Sequence, residues 1–319
     1  MGLLDIFKKK SPKVQIICET SINPNENYDP WARTNKSRND NYAIAAFIRI
    51  SEHGATIGSS NDDYGRYFNY EFGVYDPIEY HKRVIADGYL VEAPPDVALG
   101  KLKVDQIKTI LSNAGFSTKG RKADLISQVI ENVDIAPLKL AKYYVPSEKG
   151  KAHLKKYEYV FRLKNYGISW EDFEEYKKIC ADCLKPDDII WQILNSRFNE
   201  YNIGKSYDLA RNELLCMARL LEYEARNVDA LFHYVLVLYY DTSGCGNRVI
   251  YKPEEVTFAP AIIGAIHRLK ENYDGGIIDR CYKRYRLPHH YIDEHNFEKL
   301  LFAIFEDKEI DVKNYISRA

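Results

Sequence analysis

Cys180 and Cys183 are spaced Cys-x-x-Cys, two thiolates able to share a zinc ion or to exchange a disulfide. Structural zinc takes four ligands, and Cys18, Cys216, Cys245 and Cys281 each stand singly. A thioredoxin-like pair follows a strand, whereas this one closes a helical stretch. His289-His290-x-x-Asp293-x-His295 offers metal-capable side chains, but in a connector after Pro288 and without a ligand spacing of known geometry. Glu306-x-Lys308 has the spacing with which many metal-dependent nucleases bring Mg²⁺ and a lysine to one phosphate. It falls at a helix end rather than on a strand beside a separate acid, so it reads as a solvated charge cluster. Asp62-Asp63 has no partner pattern, and Gly244-Cys245-Gly246 lacks the Lys-Ser/Thr of a phosphate loop. No Gly-x-Ser-x-Gly elbow, kinase signature or dinucleotide fingerprint occurs. The expectation is a non-enzyme, with no catalytic residue, no metal and no cofactor.

The segment Ser117-Thr-Lys-Gly-Arg-Lys122 has a different chemistry. Lys119, Arg121 and Lys122 stand before or at the start of a helical run. Free backbone N–H groups and the positive end of the helix dipole already favour an anion there. Nucleic-acid phosphate fits that chemistry, and such contacts position a backbone without reading bases. Charge segregation agrees. Residues 99–132 carry net +3 and residues 142–164 carry +5, leaving −9 for the rest of a chain whose total is −1. A basic middle in an acidic chain is the asymmetry of a polyanion-facing surface, and on charge alone equally that of a well-solvated pair of helices. The expected nucleic-acid-binding set is Lys103, Lys119, Gly120, Arg121, Lys122, Lys149 and Lys151. Asp124, in the first turn, compensates the dipole rather than acting as a catalyst.

The elements that must position these residues follow from periodicity and caps. Lys13 to Thr20 has a strand pattern, and 23–41 is an irregular loop rich in Asn, Pro and Asp. A buried helix starts near Tyr42, and His53 to Gly58 breaks it. Asp76-Pro77 is an N-cap with proline in the first turn, and Gly88 closes that helix. Tyr89 to Glu92 is extended, and Pro94-Pro95-Asp96 ends the segment. Val104, Ile107, Ile110 and Leu111 keep helical spacing up to Gly115, beneath which Phe116 packs back. Leu125, Ile126, Val129 and Ile130 form the apolar face of a second helix. Two helices this short share a small core, so the unit must lean on neighbours.

Leu102-Lys-Val104, Ile107, Leu111, Gly115-Phe116, Gly120-Arg-Lys122, Asp124-Leu-Ile126 and Val129 together resemble the SAP domain, a helix–connector–helix module of DNA-associated proteins. The resemblance covers about 35 of 319 residues. It implies contact with duplex DNA through the phosphate backbone, with weak sequence specificity. Where the family often continues x-Arg-Leu after Leu-Ile, this chain has Ser127-Gln128-Val129, one cation fewer for phosphate. The flanks, Ala86-Asp-Gly-Tyr-Leu90 and Tyr143 to Leu154, loosely resemble the end of a winged-helix domain with the module inserted at its wing tip. Loop tips tolerate such insertions.

From Ser169 onward the chain reads as helical. Ser169 with Asp172 gives a capping signature, and helices are expected at 187–200, 206–224, 227–240, 258–272, 275–285 and 296–305. Ala210 to Leu221 followed by Asp229 to Val235 resembles a tetratricopeptide-like helix pair, without a 34-residue repeat. The apolar run Tyr234 to Tyr240 falls far short of the ~20 residues that span a bilayer, and the N-terminus has neither a secretory-leader nor a myristoylation pattern. The expected protein is mainly α with an α+β N-terminal part. Its parts are 1–41, a winged-helix-like domain of 42–98 plus 134–168, the SAP-like module at 99–133, and a helical bundle at 169–319. It is expected to be cytoplasmic, of bacterial or phage type, and without membrane contact. It is expected to bind double-stranded DNA, and a protein partner through its tyrosine-rich C-terminal helices. Two alternatives stand beside this: an adaptor whose SAP-like unit docks on protein, and a divergent metal-dependent nuclease involving Asp62, Asp63 or Glu306.

Overall fold

In the first of two compact units (Met1–Ser147 and Glu148–Ala319), an aromatic cluster supports a two-stranded base from which a separate helical module grows. The computed structural model describes residues 39–180, 184–246 and 252–316, and the protein is mainly helical. The expected strand at Lys13–Thr20 and most of the loop that follows it lie outside the described residues.

Helix α1 (Asp40–Ile50) buries every residue from Tyr42 to Ile48. Its Phe47 ring packs against Phe68 of α2 (Tyr67–Tyr70) at 4.4 Å and stacks on Tyr80 of α3 (Pro77–Ala86) at 5.2 Å. Asp76 caps α3 as its sequence implies, its Oδ1 accepting the Glu79 N–H at 3.1 Å, with Pro77 in the first turn. Gly88 then adopts φ +76°, and the chain turns into β1 (Leu90–Glu92).

Strand β1 pairs antiparallel with β2 (Tyr144–Pro146), matching Leu90 to Pro146 and Glu92 to Tyr144. The pairing extends to Ala93, whose N–H donates to the Tyr143 carbonyl at 2.8 Å, and Lys142 reaches Glu92 at 3.1 Å. Chain therefore leaves and re-enters the base at adjacent points. Everything from residue 94 to residue 142 is an excursion between them.

The excursion holds three α-helices and, after them, a single 3-10 turn at Ala136–Leu138. Pro94-Pro95-Asp96 does not close the preceding segment. Pro95 opens α4 (Pro95–Lys101), because a proline in the first helical turn lacks only an N–H that would be unpaired there anyway. Helices α5 (Val104–Asn113) and α6 (Lys122–Asn132) follow.

In the second unit, α7 (Glu148–Tyr157) and the short α8 (Val160–Leu163) precede α9 (Trp170–Ile179), which Ser169 caps through the Asp172 N–H at 3.0 Å. Residues 148–168 group with the C-terminal helices in this division. The long helices α10 (Pro186–Ile203), α11 (Tyr207–Tyr223) and α12 (Asn227–Thr242) come next, then α13 (Pro260–Leu269), α14 (Ile277–Arg284) and α15 (Glu294–Phe305). Every residue from Tyr234 to Thr242 is buried, so the C-terminal part of α12 is enclosed on all sides. Its one carboxylate in that run, Asp241, meets buried Arg211 of α11 in a two-pronged pair at 2.9 and 2.7 Å.

Candidate nucleic-acid interface

The module between the strands has its own core. Leu99 of α4, Ile107 and Leu111 of α5, and Leu125 and Val129 of α6 are fully buried together. Leu102, Ile110, Ile126, Val133, Leu138 and Leu140 pack around them. The neighbour on which the two short helices lean is thus α4 on one side and the segment after α6 on the other. Val104 stays 37% exposed and Ile130 42% exposed, although the helical period put both on the apolar face.

Helix α5 ends in a left-handed Gly115, φ +79°. The Gly115 N–H donates to Ser112 O at 3.1 Å and the Phe116 N–H to Leu111 O at 2.9 Å, so the last carbonyls of the helix are satisfied. Phe116, expected to pack back beneath the helix, remains 40% exposed.

The basic turn follows. Gly120 has φ +137°, a conformation L side chains rarely adopt, and a Cβ there would stand 3.3 Å from Asp124 Cβ. Arg121 is the residue before α6, and its N–H donates to Asp124 Oδ2 at 3.0 Å. Lys103 holds the same place before α5, its N–H donating to Gln106 Oε1 at 2.8 Å. No side chain at the capping position accepts from the N–H groups that open either helix. Lys103, Lys119, Gly120 and Arg121 are exposed. Lys122 is placed differently: half-buried, its Nζ donates to the Gly100 carbonyl of α4 at 2.6 Å.

Lys149 and Lys151 belong to α7, in the other compact unit. Both are exposed, and Lys151 pairs with Glu148 at 2.7 Å. Gly150 is buried while Lys155 and Lys156 are exposed, which places the four lysines of α7 on its outer side. Five of the seven expected residues therefore come together on one module, and two lie on a separate basic helix.

The other candidate groups are engaged in local structure. Asp63 accepts from the Ser59 N–H and hydroxyl and from the Ser60 N–H, which together hold its carboxyl below the ordinary range. Cys180 Sγ donates to Gln192 Oε1 at 3.2 Å, and Cys183 lies outside the described residues. Asp293 caps α15, accepting the Asn296 N–H at 2.8 Å, and His290 meets the Tyr239 hydroxyl at 3.2 Å. Glu306 pairs with Lys308 just past the end of α15, both well exposed. Cys245 is buried in the turn after α12. Among the described residues, no group of three or more His, Cys, Asp or Glu side chains is placed to hold a metal ion.

What the geometry defines is a small helical module in which α5 and α6 each begin at an exposed cation, whose own N–H is held by the Gln106 or Asp124 side chain while no side chain at the cap accepts from the N–H groups of the first turn. Residues 98–131 match the family model of the SAP domain, in general a DNA-binding module. Neither curated proteins nor solved structures gave a match, and nothing found bears on the winged-helix or tetratricopeptide-like resemblances. Among the described residues, no helix is long and apolar enough to cross a membrane.

Proposed function

We propose that this chain is a non-enzymatic DNA-binding protein whose SAP module holds the phosphate backbone of a duplex through Lys119, Arg121 and the N-terminal N–H groups of α6. The observation that carries this is the turn itself. Two exposed cations stand beside the first-turn N–H groups of α6, which no side chain at the cap occupies (Asp124 takes only the Arg121 N–H), on a unit that matches a DNA-binding family. Lys103 at the start of α5 extends the basic end. The lysines of α7 form a second basic surface, on which Lys149 and Lys151 add phosphate contacts. The helical unit is the part assigned to a protein partner, and it leaves Ile203 (85% exposed) and Ile179 (75%) on its surface.

A salt-titrated binding measurement on unrelated duplexes tests this. Replacing Lys119 and Arg121 with Met should weaken all duplexes by similar factors and flatten the slope of log affinity against log salt by about 0.9 for each phosphate no longer neutralised. Replacing Lys149 and Lys151 with Gln should flatten it further. An unchanged affinity and slope in the Lys119/Arg121 variant, with the fold intact, would sink the DNA reading and leave the module as a protein-docking element.

A further inference from the structure

Lys122 has the residue type and position of a phosphate ligand: a lysine on the first residue of α6, beside Arg121. Its side chain goes elsewhere. The ammonium is half-buried and donates to Gly100 O at 2.6 Å, across 22 residues of sequence. Electrostatics explains the choice. A cation is unfavourable at the positive N-terminal end of α6 and favourable at the negative C-terminal end of α4. Gly100 is the second-last residue of α4, so its carbonyl is one of those a helix end leaves without an intrahelical donor. One lysine thereby removes a misplaced charge from α6 and satisfies an orphan acceptor on α4.

We infer that Lys122 is a positioning residue, a latch that holds the N-terminus of α6 against the end of α4, and that it makes no phosphate contact of its own. The latch fixes the turn from both ends. Gly100 lies three residues before Lys103, the cation that opens α5, and Lys122 directly follows Arg121, the cation that opens α6. Tying Gly100 to Lys122 keeps the two basic helix starts at one end of the module, and it sets the direction of the α6 N–H groups between them. The positional part of this inference rests on the proposed DNA contact, whereas the latch itself is a property of the fold.

The experiment uses the full chain with three variants, Lys122→Met, Lys122→Arg and Arg121→Met, and two readouts. Amide hydrogen exchange without DNA reports the latch. Lys122→Met should speed exchange in 99–103 and 122–129 by about tenfold, the factor expected for removing a hydrogen bond from a charged donor. Arg121→Met should leave exchange unchanged, and Lys122→Arg should restore most of the protection. The salt dependence of duplex binding reports the phosphate contact. Arg121→Met should flatten the slope by about 0.9, whereas Lys122→Met should lower affinity with less than about half that change. Unchanged exchange in Lys122→Met, or a slope flattened by as much as in Arg121→Met, would overturn the latch. An unchanged slope in Arg121→Met would overturn the DNA reading and leave the exchange result to stand or fall separately.

Discussion

Gly120 shows how far one residue constrains the binding turn. At φ +137° an added Cβ would be strained and would press on Asp124, whose carboxylate holds the Arg121 N–H. Gly120→Ala should destabilise the module by about 1–2 kcal/mol and blunt duplex binding through disorder of the turn, as amide exchange over 117–125 would register. His81 poses a different single-residue problem. It is fully buried, its Nδ1 is 2.8 Å from the Tyr64 hydroxyl, and its Nε2 has no partner. The Tyr64 oxygen also accepts the Gly58 N–H at 2.9 Å, and with burial favouring the neutral imidazole its own proton is free to go to Nδ1. Burial lowers its pKa from 6.5 to about 4. The unfolded chain therefore binds the extra proton between those values. Stability is fully present above pH 6.5 and declines as the pH falls towards 4, by on the order of 3 kcal/mol. His81→Phe should flatten the acid limb of the unfolding curve for the first unit, and an unaltered limb would show that other groups drive it.

At the scale of elements, the module is a three-helix unit. Leu99 is as buried as Leu111. Leu99→Ala should thus cost about 2–5 kcal/mol, and a fragment starting at residue 102 should fail to fold where one spanning 94–141 succeeds, as circular dichroism would show. Leu111→Asp should unfold the unit by burying an unpaired charge, whereas Val104→Asp should be tolerated because Val104 is 37% exposed. These differences mark what was legible in the sequence. Asp76, Gly115, Ser169 and the apolar spacing of α5 and α6 act on partners within about a turn, so their roles could be read locally. Long-range engagement left no such trace. Nothing around Lys122 announces Gly100, and nothing around Arg211 announces Asp241, thirty residues away. Helix α4 did leave a signal, since Pro95-Asp96 repeats the first-turn proline seen at Pro77. The doubled proline masked it, because proline ends elements as readily as it opens helices.

For the whole molecule, the division into two compact units implies that damage to one core need not reach the other's function. Arg211 and Asp241 give the sharpest test. Both side chains are nearly inaccessible, 4% and 6%, inside the helical unit, and the turn after α12 sits so close that a Cβ on Gly246 would approach Asp241 Oδ1 to 2.7 Å. Asp241→Ala leaves a buried guanidinium without its carboxylate and should destabilise the Glu148–Ala319 unit by about 3–5 kcal/mol. The double replacement Arg211→Met with Asp241→Leu removes both charges and should cost much less, because two desolvation penalties vanish with the attraction. Thermal unfolding should show the Asp241→Ala effect confined to one transition. In the same variant, below that transition, the salt slope for duplex binding contributed by Lys119 and Arg121 should persist, since both belong to a module with its own closed core. Disappearance of that contribution in Asp241→Ala would mean that the SAP module binds duplex only with the helical unit intact, making the two units one binding device.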